Sequence, residues 1–595
     1  MADKLKDIVK SPVTYTISCN GTEIPGEYNV ESIVVLKEVN KIASAFIQVA
    51  DGGYADSSEF SISDSGDFNP GSEIEISAGY ASEEEIIFKG IVMRHGLRIV
   101  RGRFSLEIEC KDVAVKASVG RKNKIFEAKP DSDIISEVLG EYSDLTVNVA
   151  ATSYEHPELL QNYISDWDFV IQRADVNGLI LLNSDSEIEI KKPEAGSPVL
   201  DISPDGDLKS FDAYLDAKNV LNAVKGVSWD MDNQEVVEAS SNPPNANEFG
   251  SISSDDLASV VGLEEYLLST TANTPMEVLT EWASAQHSKS EWSKVRGKIV
   301  IQGYNAIKPG DTVNLEDFSE QFNGFVFISS VEHIIEEGDF VTELGLGLSP
   351  NWYADEKPNF YAPPASGLIP PVNGLYVGVV EQIHEDENGQ YRIKVKMPTL
   401  QSETLSLWAR MTSLYATAEA GIFFYPEVGD EVIVGFLNQD AQNPVVLGSV
   451  HNKINIPPEE PAEENFIKKI TTKEKLQISF DEENKAIVIE TPEGNMVTMN
   501  DTDGIISIAD MNDNLFELSA DGVKVESAGD IIMNAQGNIE LSAQGDISVG
   551  ATGDIGVEGM NIENKGTAAF KAEGANCEVN GSAQTVIKGG MVMIN

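Results

Sequence analysis

Apolar and polar residues alternate with a period of two through much of the first hundred residues. "VTYTISC", "ESIVVLKEV", "ASAFIQVA" and "GSEIEISAGY" each place their larger side chains on one face, and "EEEIIFKGIVMRHGLRIVRGRFSLEIEC" carries the alternation to Cys110. Gly, Asn and Asp punctuate these runs, so residues 13 to 110 predict a barrel or sandwich. Two stretches then change period. "SDIISEVLGEY" (132 to 142) spaces Ile134, Ile135, Val138 and Leu139 as on a helix. "SDWDFVIQRADVNG" (165 to 178) predicts a second helix, with Ser165 as its cap, Asp168 at the third helical position and Gly178 at its end. Strands resume with "LILLNSDSEIEI". A loop is expected over "VVEASSNPPNANEFGSISSDDL" (236 to 257), a helix over 274 to 288, and strands again over 295 to 347.

The pattern also divides the chain. Residues 1 to 360 precede a Pro-rich linker, "YAPPASGLIPP" (361 to 371). From 372 to 452 about five short strands predict a small barrel, of which the OB type is one. A stiff acidic linker (453 to 464) follows, and 465 to 595 holds short strands separated by Gly, Asn and Asp.

Within the last region "GDIIMNAQGNIELSAQGDISVGATGDIGVEG" repeats one frame every eight residues, marked by Gly529, Gly537, Gly545 and Gly553. Ile531, Met533, Ile539, Leu541, Ile547, Val549, Ile555 and Val557 share odd parity and so one face of a strand; the glycines let the chain turn between rungs. Eight residues are too few to wind one chain around a packed coil, whereas a rung shared between chains asks each for a single side. The segment is therefore read as an intertwined, symmetric β-prism of three chains. A one-chain β-roll or an irregular meander is the alternative. A calcium-binding nonapeptide repeat lacks support, because its Gly-Gly-x-Gly-x-Asp pattern is missing.

Composition narrows the function. The 595 residues hold 97 acidic against 42 basic side chains, a formal net charge of -55, which repels nucleic acid and anionic membranes. Hydrophobic content of 41% still supports real cores, and the length suggests several domains. Cys19, Cys110 and Cys577 form neither a disulfide framework nor a zinc motif. No apolar run suits a signal peptide or a membrane span, so cytoplasmic synthesis is expected, with any export by another route.

The order of these regions resembles the VgrG spike family of type VI secretion systems and the related hub and spike proteins of contractile phage tails. "LLQNYISDWDFVIQRADVNGLIL" (159 to 181) is similar to the family's Tyr-x-Glu-Ser-x-x-Asp-Phe signature, with Ile164 in place of the Glu. "VRGKIVIQGYNAIKPGDTVNL" with "FNGFVFISSVEHII" resembles the second barrel of the hub. The most specific likeness is "YPEVGDEVIVGFLNQDAQNPVVLGSVHN" (425 to 452), which carries the OB signature in Pro426, Gly429, Asp430, Val432, Gly435, Phe436, Asn443, Pro444 and Gly448. The final "IKGGMVMIN" looks like the blunt shaft end that receives a PAAR-type cap. On this reading Gly589, Gly590, Met591, Val592, Met593, Ile594 and Asn595 form the docking platform.

The resemblance implies a mainly β fold: hub barrels with a few helices, an OB barrel, and a C-terminal intertwined triple-stranded β-helix in a homotrimer. It implies a non-enzymatic puncturing spike that joins a hexameric Hcp-like tube to a PAAR-type tip, contacts baseplate proteins and helps deliver effectors. Assembly in the bacterial cytoplasm and export by contraction come with it. An adhesin or enzyme using the shaft as a stalk is the alternative; no lysozyme-like insertion or globular extension is visible to favour it.

Candidate chemistry is sparse. Asp166 and Asp168 could pair as glycosidase carboxylates, but Trp167 and Phe169 beside them suggest packing, and Asp168 suits a helix N-terminus. The six histidines lie too far apart for a local metal motif, with His333 and His451 expected as satisfied barrel residues, and no cofactor is expected. "HEDENG" (384 to 389) is too short for a calcium loop and reads as a turn. The barrel is acidic and only Phe423, Phe424 and Tyr425 cluster as aromatics in it, which argues against nucleic-acid binding.

Overall fold

The computed structural model describes residues 3–4, 11–52, 60–205, 208–244, 249–358, 360–400 and 406–594. Contacts divide the chain into two units, Met1–Val450 and His451–Asn595.

One fourteen-stranded sheet organises most of the first unit. Strands Val13–Cys19, Asn29–Glu38, Ser44–Ala50, Glu73–Tyr80, Glu83–Val100 and Arg103–Lys111 are the alternating runs of the sequence. Their inward positions, among them Ile33, Ile47, Ile76 and Leu106, build one buried core. A second core, with Ile299, Val313, Ile328 and Leu344, lies within Val295–Gln302, Thr312–Leu315, Gly324–Glu336 and Asp339–Leu346. The two lobes share the sheet because Asn29–Glu38 pairs antiparallel with Gly324–Glu336, Val34 opposite Ile334. Phe340, from the second set of strands, packs into the first core. A Cβ on Gly303 would lie 2.2 Å from its ring, so the turn at 303 needs glycine.

A helical layer forms a third core. Helices α1 (Asp131–Leu139) and α2 (Asp166–Val176) bury Ile134, Ile135, Val170 and Ile171. The Ser165 hydroxyl accepts from the Asp168 N–H at 3.2 Å and so caps α2 as expected. Beyond its end Gly178 takes φ +66° against Ala285, where a Cβ would come within 3.2 Å of the neighbouring Cα. The region expected as loop contains a strand, Glu235–Ser240, and helix α3 (Ser254–Val261). A reciprocal cap holds α3: Ser253 accepts from the Asp256 N–H, and the Asp256 carboxylate accepts from the Ser253 N–H. Helix α4 (Met276–Trp292) runs beyond its expected end because Ser290, Glu291 and Trp292 are buried.

The first unit ends in a closed barrel of five strands, in the order Tyr376–Gln382, Ile393–Lys396, Ser406–Met411, Pro444–Ser449, Glu431–Phe436. Val380, Val395, Val432, Val434 and Val446 fill it. In the second unit seven five-residue strands, from Ile467–Thr471 to Gly522–Glu526, pair as a single antiparallel meander.

Candidate assembly surface

The meander is one layer thick, and its two faces differ. Pairing aligns Ile470, Ile478, Ile489, Val497, Ile508, Phe516 and Val525 in one cross-strand row. The parallel row on the same face runs Lys468, Phe480, Ile487, Met499, Ile506, Leu518 and Val523. Thirteen of these fourteen positions are therefore apolar. On the opposite face the central row is Lys469, Ser479, Val488, Thr498, Ser507, Glu517 and Lys524. Asx turns set this register: the Asp481 carboxylate accepts from the Asn484 N–H, and Asp510 accepts from the N–H groups of Asn512 and Asn514. Hydrogen bonds from Asn514 and Asn512 hold the Asp510 carboxyl down at about 2. An amphipathic sheet must bury its apolar face against another layer. Within the chain that face stays exposed from Ile470 to Val525 except at Ile487 and Val497, which are half-buried.

The octads follow. Among the described residues none from 527 to 594 joins a strand within the chain, so the expected rungs do not pair there. A five-residue rung cannot close its own hydrogen bonds. The repeat is nevertheless geometric. Ile531, Ile539, Ile547 and Ile555 are 55–57% exposed, and Met533, Leu541, Val549 and Val557 are 67–71% exposed. The chain bends at 528–529, 536–537, 544–545 and 552–553, one bend at each of Gly529, Gly537, Gly545 and Gly553. None of these glycines adopts a positive φ, and a Cβ on any of them would meet no atom within 4 Å. No contact within the chain requires glycine there. Further bends at 567–568, 575–576, 582–583 and 590–591 extend the rhythm past the obvious repeat, each one residue after Gly566, Gly574, Gly581 or Gly589. At the end Met591, Val592, Met593 and Ile594 are exposed beside Gly589 and Gly590, and Asn595 lies outside the described residues.

The barrel signature occupies three places. Pro426 is buried at the head of a turn in which Glu427 N–H bonds the Asp430 carboxylate and Gly429 N–H bonds Val380 O. Val432 and Val434 point into the core, Gly435 is buried between them and Phe436, and Phe436 packs edge-on to Tyr376 at 5.8 Å. Asn443 closes a turn onto Asp440, Pro444 starts the last strand opposite Phe436, and Gly448 pairs with Ile433.

The candidate chemical side chains are occupied structurally. Asp166 accepts from Lys122, Tyr142 and Gln161. Asp168 accepts from Tyr353 at 2.6 Å and Lys357 at 2.5 Å. Burial works to raise the Asp168 carboxyl, but bonds from Lys357, Tyr353 and Ser165 outweigh it and lower its pKa. Trp167 and Phe169 are buried with α1, as expected of packing residues. His333 is fully buried against Thr342, and burial pushes its imidazole down to about 3. His451 is exposed and belongs to no barrel core. The turn at 384–389 is closed by Asp386, which accepts from the Asn388 and Gln390 N–H groups and from the Arg392 guanidinium; that guanidinium holds its carboxyl well below the usual range. Among the described residues no three His, Cys, Asp or Glu side chains are placed to hold a metal, and no helix is long and apolar enough to cross a membrane.

The described residues thus form a two-lobed β sheet, a small closed barrel and a thin sheet with a bare apolar face. Residues 9–337, more than half of the chain, match the Alg8 N-terminal domain family, and the chain belongs to that family. Residues 376–451 match the type VI secretion system/phage-baseplate injector OB domain. The type VI secretion system spike protein VgrG2a of Pseudomonas aeruginosa is 32% identical over 120 residues, 19% of this chain and 14% of its own length. VgrG1a of the same organism is 26% identical over 197 residues, 31% of this chain and 29% of its own. The actin cross-linking toxin VgrG1 of Vibrio cholerae is 31% identical over 117 residues, 18% of this chain and 10% of its own. The chain thus spans less than a third of each of these relatives. Among solved structures, the 43 kDa tail protein of prophage MuSo2 from Shewanella oneidensis aligns with TM-score 0.44 at 9% identity, covering 57% of this chain and 98% of that one. These findings place the chain, at low identity, among VgrG-like proteins of the type VI secretion and phage-tail superfamily.

Proposed function

We propose that three copies of this chain form the spike and hub of a contractile injection apparatus. The observation that supports this reading is the bare apolar face of the meander. Covering a side chain such as Phe516 or Ile508 is worth about 1–3 kcal/mol, and three such sheets facing a common axis cover one another. The octads extend the same logic: their odd-numbered apolar positions face inward, the backbone groups unpaired within a chain pair between chains, and the open space at Gly529, Gly537, Gly545 and Gly553 admits a neighbouring strand. The lobes of residues 1–360 form the hub on a hexameric Hcp-like tube, joined through 361–371 to the OB domain (372–452), and 453–464 leads to the shaft (465–595). The end of the sequence at Gly589–Asn595, apolar and exposed over Met591–Ile594, receives a PAAR-type tip, baseplate proteins surround the hub, and effectors travel with the spike. Cytoplasmic assembly and export by contraction belong to the same reading.

The test is solution mass by light scattering. A full-length mass near three times 64.5 kDa, lost in a chain ending at Pro457, is expected. A monodisperse full-length monomer at micromolar concentration overturns the reading.

A further inference from the structure

We infer that the outer surface of two barrel strands, Ile393–Lys396 and Ser406–Met411, is a binding site for an acidic polysaccharide. The inference needs the barrel alone and stands apart from the trimer reading. Between 376 and 451 the chain has ten acidic residues and four Lys or Arg: Arg392, Lys394, Lys396 and Arg410. The strands put all four on one surface. Ile393, Val395 and Ala409 are buried in the barrel core, so the positions alternating with them turn outward. Pairing sets Lys394 opposite Trp408, and the Arg392 guanidinium lies 5.9 Å from the centre of the Trp408 ring. An acidic domain has thus gathered its cations around one half-buried tryptophan.

Aromatic rings continue the surface. Tyr391, next to Arg392, is 80% exposed. Its φ of +57° is a conformation that bulky residues rarely adopt, and among the described residues its ring and hydroxyl make no contact that offsets the strain. Its carbonyl accepts from the Tyr425 hydroxyl at 2.7 Å, and Tyr425 stacks on Phe423 at 4.6 Å. The Trp408 indole N–H has no acceptor among the described residues, and neither Lys396 nor Arg410 forms a salt bridge there.

Flat exposed rings suit the C–H face of a sugar or the face of a base. Charge separates the two. Asp386 takes up Arg392 at 2.6 Å, and Glu381 lies 3.4 Å from Lys394. Carboxylates therefore stand within the surface, and Lys396 and Arg410 are left for an anion. A strand with a phosphate on every unit meets those carboxylates and a chain of net charge -55. A polysaccharide with carboxylates on some of its units brings few anions to the free cations, and its hydroxyls can donate to the half-exposed Glu381.

Affinity electrophoresis of the full chain tests this. Hyaluronate in the gel, with a carboxylate on every second sugar, is expected to retard the protein, and neutral dextran at the same concentration is not. Trp408→Ala is expected to reduce the retardation at least severalfold. Trp408 is half-buried, so Tyr391→Ala and Arg410→Gln are made alongside; both of these side chains are exposed. Each is expected to reduce the retardation while the melting temperature stays where it was. No retardation by hyaluronate, equal retardation by dextran, or retardation unmoved by Tyr391→Ala and Arg410→Gln overturns the inference. Stronger retardation by immobilised oligothymidylate than by hyaluronate makes the surface a nucleic-acid site and overturns it as well. None of these outcomes bears on the mass in solution, which tests the trimer separately.

Discussion

The closed barrel and the seven-stranded meander are written in the same local code. Both consist of short strands with apolar residues at every second position, broken by Gly, Asn and Asp. Yet Val432, Val434 and Val446 are buried within their own chain, while Ile508, Phe516 and Val525 lie exposed. The cause is closure. Five strands paired in a ring enclose an interior, whereas seven strands in an open row leave each face to whatever covers it. Alternation therefore says that a face must be buried, and topology says whether the chain can bury it alone.

This contrast can be attacked at both ends. The largest effect is expected from Val434→Asp, which puts an unpaired charge into a closed core and should cost about 4 kcal/mol or more. Chemical denaturation should show the barrel lost at every protein concentration. Phe516→Asp on the bare face should leave the barrel's unfolding unchanged but reduce the mass in solution from trimer to monomer; a surviving trimer would mean that this face is not the interface. Next in size is a dependence on acid. His333 is buried in the strand Gly324–Glu336, whereas His384 and His451 are exposed. Its folded pKa of about 3 lies below the ordinary 6.5, so its contribution is complete above pH 6.5 and is lost as pH falls towards 3, at about 1.4 kcal/mol per unit. Melting between pH 7 and 4 should show the two-lobed sheet weakening before the barrel, and His333→Gln should flatten that slope. The smallest change belongs to the polar face: Ser507→Ala should move stability by no more than about 0.5 kcal/mol and leave the mass unaltered.

Much of this was readable without coordinates, for reasons that differ by region. Ser165 with Asp168 announces a helix start because the cap is local, and the alternation of Val432 and Val434 announces a strand for the same reason. Ser253 and Asp256 carry the same capping information, but in a run of Ser, Asn, Pro and Asp they read equally well as loop. The bare face of the meander was hidden more deeply. Nothing near Ile489 in sequence reveals that it stands between Ile478 and Val497, because register is set by turns on either side. The octads showed their period only while the glycines kept step; at Gly566, Gly574, Gly581 and Gly589 the step alternates between eight and seven, and the bends persist where the motif fades.

The near-identity of successive octads has one more consequence. Three chains whose rungs are interchangeable can lie beside one another a whole rung out of phase and lose contacts only at the ends, so the octads alone hold no memory of where they should begin. The meander is different: Phe480, Met499 and Phe516 occur once each, and no shift of one copy against another restores their neighbours. In the trimer proposed above, residues 467–526 would act as the vernier of the shaft: they would fix the phase that the repeat then copies downstream, and a trimer deprived of them should assemble as a ladder of slipped forms.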